Sequence, residues 1–305
     1  MSEYGEKMNN TDDLEPSIAV IPCYNCEDNI GLVVRECLNY VNHLLVIDDC
    51  STDKSAEIAS SAGAEVIKLQ KNQGVGFALQ TGLKIAIQKK YSTIVTLDAD
   101  GAHNPDDIPN LINSHLNNNN ILTIGNRWKE PIHVNIIPSP KFWANQFASR
   151  LVATTASIFL PDVACGFRVL NKSLIELLNG SAGFGFLYEM LFLAQKAGRI
   201  GYACVDVRYD ANDLWITKQN ELENLVETCI VEANDNHLKF ELGRFIQMVK
   251  NWEKINILFE TKTGDKDIFI LHPIREYHGF QFQRQHNILS NLHKSENTIS
   301  INWES

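Results

Sequence analysis

No run of eighteen or so apolar residues, the length that a membrane-spanning helix needs, occurs anywhere in the chain. The nearest approaches, Leu151 to Leu160 and Phe184 to Ala197, are short or are interrupted by Glu189 and Gln195. The expectation is a soluble protein for which only peripheral membrane contact stays open. Basic residues are scarce as well: 27 Lys and Arg against 37 Asp and Glu leave a formal net charge of −10. That balance argues against nucleic acid or an anionic membrane surface as the main partner. A secretory signal is missing, and seven cysteines scattered at 23, 26, 37, 50, 165, 204 and 229 offer no even-numbered disulfide framework. A reducing, cytoplasmic setting follows, with the inner face of a membrane as a peripheral alternative. The nine histidines form no H-E-x-x-H cluster, and neither a P-loop nor a G-x-G-x-x-G fingerprint is present. Cys23-x-x-Cys26 lacks the second, similarly spaced pair that zinc requires.

What is present is enough apolar material, 44% of 305 residues, for one large α/β domain and a smaller appendage. Short continuous apolar runs recur at Ile18 to Ile21, Leu44 to Ile47, Val66 to Leu69, Ile94 to Leu97 and Ile121 to Ile124. Between them lie helical spacings, such as Ile30, Val33, Val34, Cys37, Leu38 and Val41 on one face. Strands apolar on both faces, alternating with amphipathic helices, predict a doubly wound, mostly parallel sheet with helices on both sides. Beyond Gly125, Pro131, Pro138 and Pro140 mark a loop, and Phe142 to Phe159 reads as a helix. A further helix, Leu187 to Ala197, stops at Gly198, and Tyr202 to Tyr209 looks like a late strand. Residues 1–16 read as a disordered leader, 17–212 as the catalytic-type domain and 213–305 as a small α+β extension. In that extension a helical segment precedes a hairpin of Ile255 to Glu260 and Asp267 to Leu271 around Thr263-Gly264-Asp265, and the last thirty residues are polar and carry no pattern.

The polar residues that break the apolar pattern gather where strands end. Strand one runs into Pro22-Cys23-Tyr24-Asn25, strand two into Asp48-Asp49-Cys50-Ser51-Thr52-Asp53, and strand four into Asp98-Ala99-Asp100-Gly101. In an open parallel sheet these carboxyl ends share one crevice, where ligands bind. Asp98 and Asp100, two apart in an extended segment, project the same way and can face one hard cation, Mg2+ or Mn2+. A turn in which Asp100-Gly101 only satisfies backbone groups is the equally weighted alternative. Ser51 or Asp53 can cap the next helix, while Asp48 or Asp49 can accept hydrogen bonds from a base edge or ribose, with Tyr24 stacking on the base. Gly74 and Gly76 precede a helix start, where a diphosphate can approach the backbone.

In this order the pieces resemble the large family 2 of inverting glycosyltransferases, which have the GT-A fold. Ile21-Pro22-Cys23-Tyr24-Asn25 is similar to its first-strand motif, Val46 to Ser55 to its nucleotide loop, and Asn72 to Gly82 to its glycine-rich helix start. Leu97 to Ile108 looks like its D-x-D segment and Gly125-Asn126-Arg127 like its G-S-R. Asp162 to Arg168 and Phe186-Leu187-Tyr188-Glu189 are similar to the polyprenyl-phosphate, dolichol-phosphate mannose synthase-like subgroup, and the match covers about residues 17 to 209. The resemblance implies a UDP- or GDP-sugar donor and a polysaccharide, lipid-linked or small acceptor, including a sugar or a lipid phosphate. It implies Asp98 and Asp100 on the metal, Asp49 with Asp48 and Tyr24 on the nucleoside beside Pro22 and Asn25, and Arg127 and Lys141 on phosphate charge. A hydroxyl acceptor needs a base, Glu189 or Asp162, whereas a phosphate acceptor needs none. Each acid has a plainer reading: Asp162 caps the following loop, and Glu189 pairs with an arginine such as Arg168.

Two other functions fit the same residues less fully. A non-catalytic nucleotide-sugar-binding or scaffolding protein is suggested by Ala102 and Cys26, which stand where the family often has Gln and an acid. A sugar-1-phosphate nucleotidyltransferase should carry a basic glycine-rich loop after strand one, and Tyr24 to Glu27 is unlike that.

Overall fold

A computed structural model of the chain describes residues 16–128, 139–178, 183, 185–208, 216–261, 266–285 and 297–303. Residues 1–15 of the expected leader, Pro131 and Pro138, Tyr209, the 212/213 boundary and the Thr263 to Asp265 turn lie outside them.

The expected strands form with small shifts of boundary: β1 (Ser17–Cys23), β2 (His43–Asp48), β3 (Glu65–Lys68), β4 (Thr93–Thr96) and β5 (Leu122–Asn126). With β6 (Arg168–Asn171) and β7 (Ile200–Cys204) they make a seven-stranded sheet, among the described residues, in the order β3-β2-β1-β4-β6-β5-β7. β1 pairs in parallel with both β2 and β4, which makes it a central strand and explains why both its faces are apolar. Between these strands run α1 (Ile30–Cys37), α2 (Ser55–Ser61), α3 (Val75–Gln88) and α4 (Ile108–Asn117). α1 shows the logic of all four: Ile30, Val33, Val34 and Cys37, at helical spacing, are the side chains it buries.

β6 is absent from the sequence expectation. It lies antiparallel between β4 and β5, so the sheet is mostly parallel as expected, with β6 running against the other six described strands. The late strand also differs: β7 ends at Cys204, and Val207 makes only an isolated bridge with His103.

The helix expected over Phe142 to Phe159 runs as α5 (Ser139–Ala156), three residues earlier at both ends. Pro140 lies in its first turn, where the amide that proline lacks has no intrahelical partner anyway. Ser157, at φ 54°, turns the chain into the left-handed region and stops the helix before Phe159. α6 (Lys172–Leu177) and α7 (Phe186–Ala197) follow, the latter ending at Gly198 as expected.

The C-terminal segment opens with β8 (Thr217–Lys218), α8 (Gln219–Glu232) and α9 (Asn236–Lys250), and the predicted hairpin forms as β9 (Ile255–Thr261) and β10 (Lys266–Ile274). The final residues, read as patternless, contribute β11 (Gly279–Gln285) and β12 (Thr298–Trp303), giving a second sheet in the order β12-β9-β10-β11-β8. Phe147 of α5 joins the two parts. Its ring lies 5.3 to 6.2 Å, centroid to centroid, from Phe245, Phe259, Phe269 and Phe282. One turn on, Arg150 pairs with Asp267 at 2.5 Å, and Arg284 reaches the other oxygen of that carboxylate at 2.6 Å. α5 also presents Lys141, Ala144, Asn145, Phe147 and Ala148 to the cavity described next.

No helix among the described residues is long and apolar enough to cross a membrane. All seven cysteines are free thiols.

Candidate active site

The loops after β1 and β2 are joined by side chains. Asn25, held at φ 52°, donates its amide to Ser51 Oγ at 2.9 Å and accepts from the Thr52 amide at 2.8 Å. Asp53 accepts from the amides of Ser55 (2.9 Å) and Glu27 (3.1 Å); the N-cap of α2 is Lys54, so Asp53 holds the first amide of the helix from one residue earlier than a cap. Asp49 is buried and places one carboxylate oxygen on the Gln73 amide (2.8 Å) and the other on the Gly74 amide (2.7 Å). Gly74, at φ 92°, adopts a backbone that a side chain would strain, and α3 begins directly after it. Asp49 thus ties the strand-two loop to the glycine loop. Asp48 is also buried, with the Ser51 amide 3.3 Å from one oxygen, while Tyr24 at the rim is exposed.

Asp98 and Asp100 leave β4 together and line one cavity with Arg127 and Lys141. Asp100 Oδ1 accepts from the Ala102 amide at 2.9 Å, so the turn reading is true of one oxygen without accounting for the other. Asp98 keeps 45% of its side chain exposed and shares Oδ2 with the buried His103 Nε2 at 3.1 Å. Burial works against its ionisation, but the His103 hydrogen bond and the charges of His103, Arg127 and Lys141 hold its carboxyl below the ordinary range. Gly166 makes this placement possible: a Cβ there would lie 2.5 Å from Asp98 Oδ1. Among the described residues no cluster of three or more His, Cys, Asp or Glu suits a metal. Two carboxylates at an open cavity match instead the hard cations that complete their shell with phosphate and water.

Arg127 and Asp162 are both buried and form a two-pronged pair, Nε to Oδ2 at 2.6 Å and Nη2 to Oδ1 at 2.7 Å, and the Arg127 amide adds a third bond at 3.2 Å. The expectation that Asp162 merely caps its loop gives way to this long-range pair. Lys141 is buried, and desolvation together with the Arg127 charge pushes its ammonium down to about 7. Arg168, fully buried, does not pair with Glu189. It donates to the carbonyls of Cys165, Leu187 and Val163, each at 2.8 Å, fixing the 162–168 loop against α7. Glu189 is half-buried and is not among the residues lining the cavity.

The cavity, about 840 Å³ with its open mouth, has a wall that the sequence did not suggest. Thr217, Glu221, Leu222, Leu225 and Phe282, all from the C-terminal segment, face the same space as the β4 carboxylates.

Residues 18–178 match the family model described as Glycosyl transferase family 2. The chain belongs to that family. This glycosyltransferase is 30% identical over 178 residues to a UDP-N-acetylglucosamine–dolichyl-phosphate N-acetylglucosaminyltransferase of Methanococcus voltae, a match covering 52% of this chain and 71% of the relative. It is 27% identical over 205 residues to an undecaprenyl-phosphate mannosyltransferase of Micrococcus luteus, covering 62% and 81%. Among solved structures, glucosyl-3-phosphoglycerate synthase of Mycobacterium tuberculosis, in complex with uridine diphosphate, superposes with a TM-score of 0.56 at 19% identity, covering 78% of this chain and 88% of that one. The same synthase has been solved with Mn2+ and uridine diphosphate together. The likeness of the transferase to that enzyme is one of fold, the GT-A type.

Proposed function

We propose that the transferase moves a sugar, with inversion, from a nucleoside-diphosphate sugar bound along the β1–β2–β4 edge to an acceptor seated in the cavity beside it. The observation that carries this reading is the convergence of Asp98, Asp100, Arg127 and Lys141 on one cavity from segments far apart in sequence. Asp98 and Asp100 would hold Mg2+ or Mn2+, and the M. tuberculosis neighbour solved with Mn2+ and uridine diphosphate supports that pairing of groups. The cation supplies Lewis-acid stabilisation of the departing diphosphate. Lys141 contributes positive charge to the leaving group, and Arg127, fixed by Asp162, keeps its charge beside it. Asp162 therefore acts as a positioning residue, since Arg127 uses both its oxygens. Tyr24, with Pro22 and Asn25, forms the nucleoside rim, and Asp48 and Asp49 shape it by holding the loops that line it. The boundary near residue 212 separates the donor domain from a segment that completes the acceptor side.

The test is turnover of UDP-glucose, UDP-N-acetylglucosamine and GDP-mannose, followed as nucleoside diphosphate release with and without Mn2+. Metal-dependent release that drops about a thousandfold in Asp100→Ala supports the reading. Release that is indifferent to metal and to that substitution rejects it, and no release above a protein-free control favours a non-catalytic scaffold.

A further inference from the structure

Glu221 is the third residue of α8, and it lines the cavity that also holds Asp98, Asp100 and Lys141. Its Oε2 accepts the Lys218 amide at 3.3 Å, which orients the carboxyl at the helix start. Its Oε1 has no hydrogen-bond partner among the described residues. Alongside the polar Asn145, Tyr188 and Thr217, the same cavity has apolar lining, Ala144, Phe147 and Ala148 of α5, Leu222 and Leu225 of α8 and Phe282 of β11. An acceptor that fills this space puts an apolar body against those side chains and its reacting atom near Glu221 and the β4 carboxylates.

We infer that Glu221 is the catalytic base on the acceptor side and that the acceptor is an amphipathic alcohol. The inference rests on the donor reading above. Charge decides between alcohol and phosphate. In the donor reading the cation takes up Asp98 and Asp100, Lys141 serves the leaving diphosphate, and the Arg127 guanidinium is committed to Asp162, so the charged group of the cavity lining left for the acceptor is the Glu221 carboxylate. A phosphate entering beside Glu221 meets like charge, whereas a neutral hydroxyl meets a base. In the step, the Glu221 carboxylate takes the hydroxyl proton as the acceptor oxygen bonds to the anomeric carbon. The bond from that carbon to the donor's diphosphate oxygen breaks, and its electron pair leaves with the nucleoside diphosphate. Protonated Glu221 then returns its proton to solvent. Burial raises the affinity of Glu221 for a proton above the ordinary glutamate value, against the Lys218 amide and the Lys218 and Lys141 charges, which makes it a stronger base than an exposed glutamate.

The experiment uses the full chain with Mn2+, the sugar nucleotide that binds best by calorimetry, and three kinds of acceptor: straight-chain alcohols from butanol to octanol, octyl glucoside, and farnesyl phosphate. Glu221→Gln keeps the shape of the side chain and an oxygen for the Lys218 amide. The expected result is turnover with the alcohols or octyl glucoside in preference to farnesyl phosphate, and a KM that falls by up to about fourfold per added methylene. Glu221→Gln should lower kcat for these acceptors by about a hundredfold or more, with unchanged melting temperature and donor affinity. Faster turnover with farnesyl phosphate, no alcohol-dependent turnover, or a Glu221→Gln enzyme within about threefold of the parent would overturn the proposal and leave the donor reading intact. Failure to bind any sugar nucleotide would bring down the donor reading and this one together.

Discussion

The two sides of the cavity are built by different means. On the donor side, short contiguous motifs at strand ends bring their own chemistry: Asp49 reaches the glycine loop 25 residues away, and Asp98 and Asp100 sit on one turn of chain. On the other side almost nothing is local. Asn145 and Ala148 come from α5, Glu221 and Leu225 from α8 and Phe282 from β11, and they meet because Phe147 and the Arg150–Asp267–Arg284 network hold the second sheet against α5. The proposed donor side is thus a property of the sheet edge, and the proposed acceptor side is a property of packing. Damage to the first should remove chemistry with little loss of fold, while damage to the second should remove fold and acceptor use together.

That contrast can be broken experimentally. Phe147→Ala removes a buried ring shared by both sheets and should cost about 3–5 kcal/mol in chemical denaturation. If stability holds within about 1 kcal/mol, the second sheet is not anchored through α5. Asp162→Ala leaves Arg127 buried without its partner and should cost about 3 kcal/mol of stability as well as turnover. A variant that loses turnover at full stability would instead make Asp162 a base. Gly166→Ala forces a methyl against Asp98 Oδ1 and should cost about 1–2 kcal/mol, seen as weaker Mn2+-dependent diphosphate binding. An affinity equal to the parent's would mean that Asp98 need not stay where it is.

The smallest effect concerns pH. Burial and Arg127 hold Lys141 near 7, so in the free site its ammonium loses its proton as pH rises through that value. A bound diphosphate favours the charged form, so affinity should be full below pH 7 and fall several-fold by about pH 8.5. Lys141→Met should bind more weakly and flatten the profile. An equally steep profile in that variant would assign the titration elsewhere.

The gathering of polar strand ends at one edge was largely legible in the sequence because its signal is local. Apolar runs such as Ile18 to Ile21 end in polar residues, and those ends must share an edge when the strands are parallel. β6 was not legible, since Arg168 to Asn171 follows directly on a motif with no turn to announce a reversal. β11 left a usable trace in the alternation of Phe280 and Phe282 with Gln281 and Gln283, and Ile299 and Ile301 in β12 show the same period of two. Arg127 and Asp162 were each singled out, but a pair 35 residues apart has no spacing rule to betray it. Glu221 carried no signal beyond an acid in the first turn of a helix, which is what a helix start usually has. Only the closure of the cavity distinguishes it.

The central claim is that Asp98 and Asp100 clamp a cation that itself needs the diphosphate to complete its site. Electron paramagnetic resonance of Mn2+, titrated with the parent chain and with an Asp98→Asn, Asp100→Asn double variant, tests it most directly. Free Mn2+ signal should vanish on the parent chain only when uridine or guanosine diphosphate is present, and should persist with the double variant. Equal loss of signal, and equal diphosphate affinity, in the parent and the variant would contradict it.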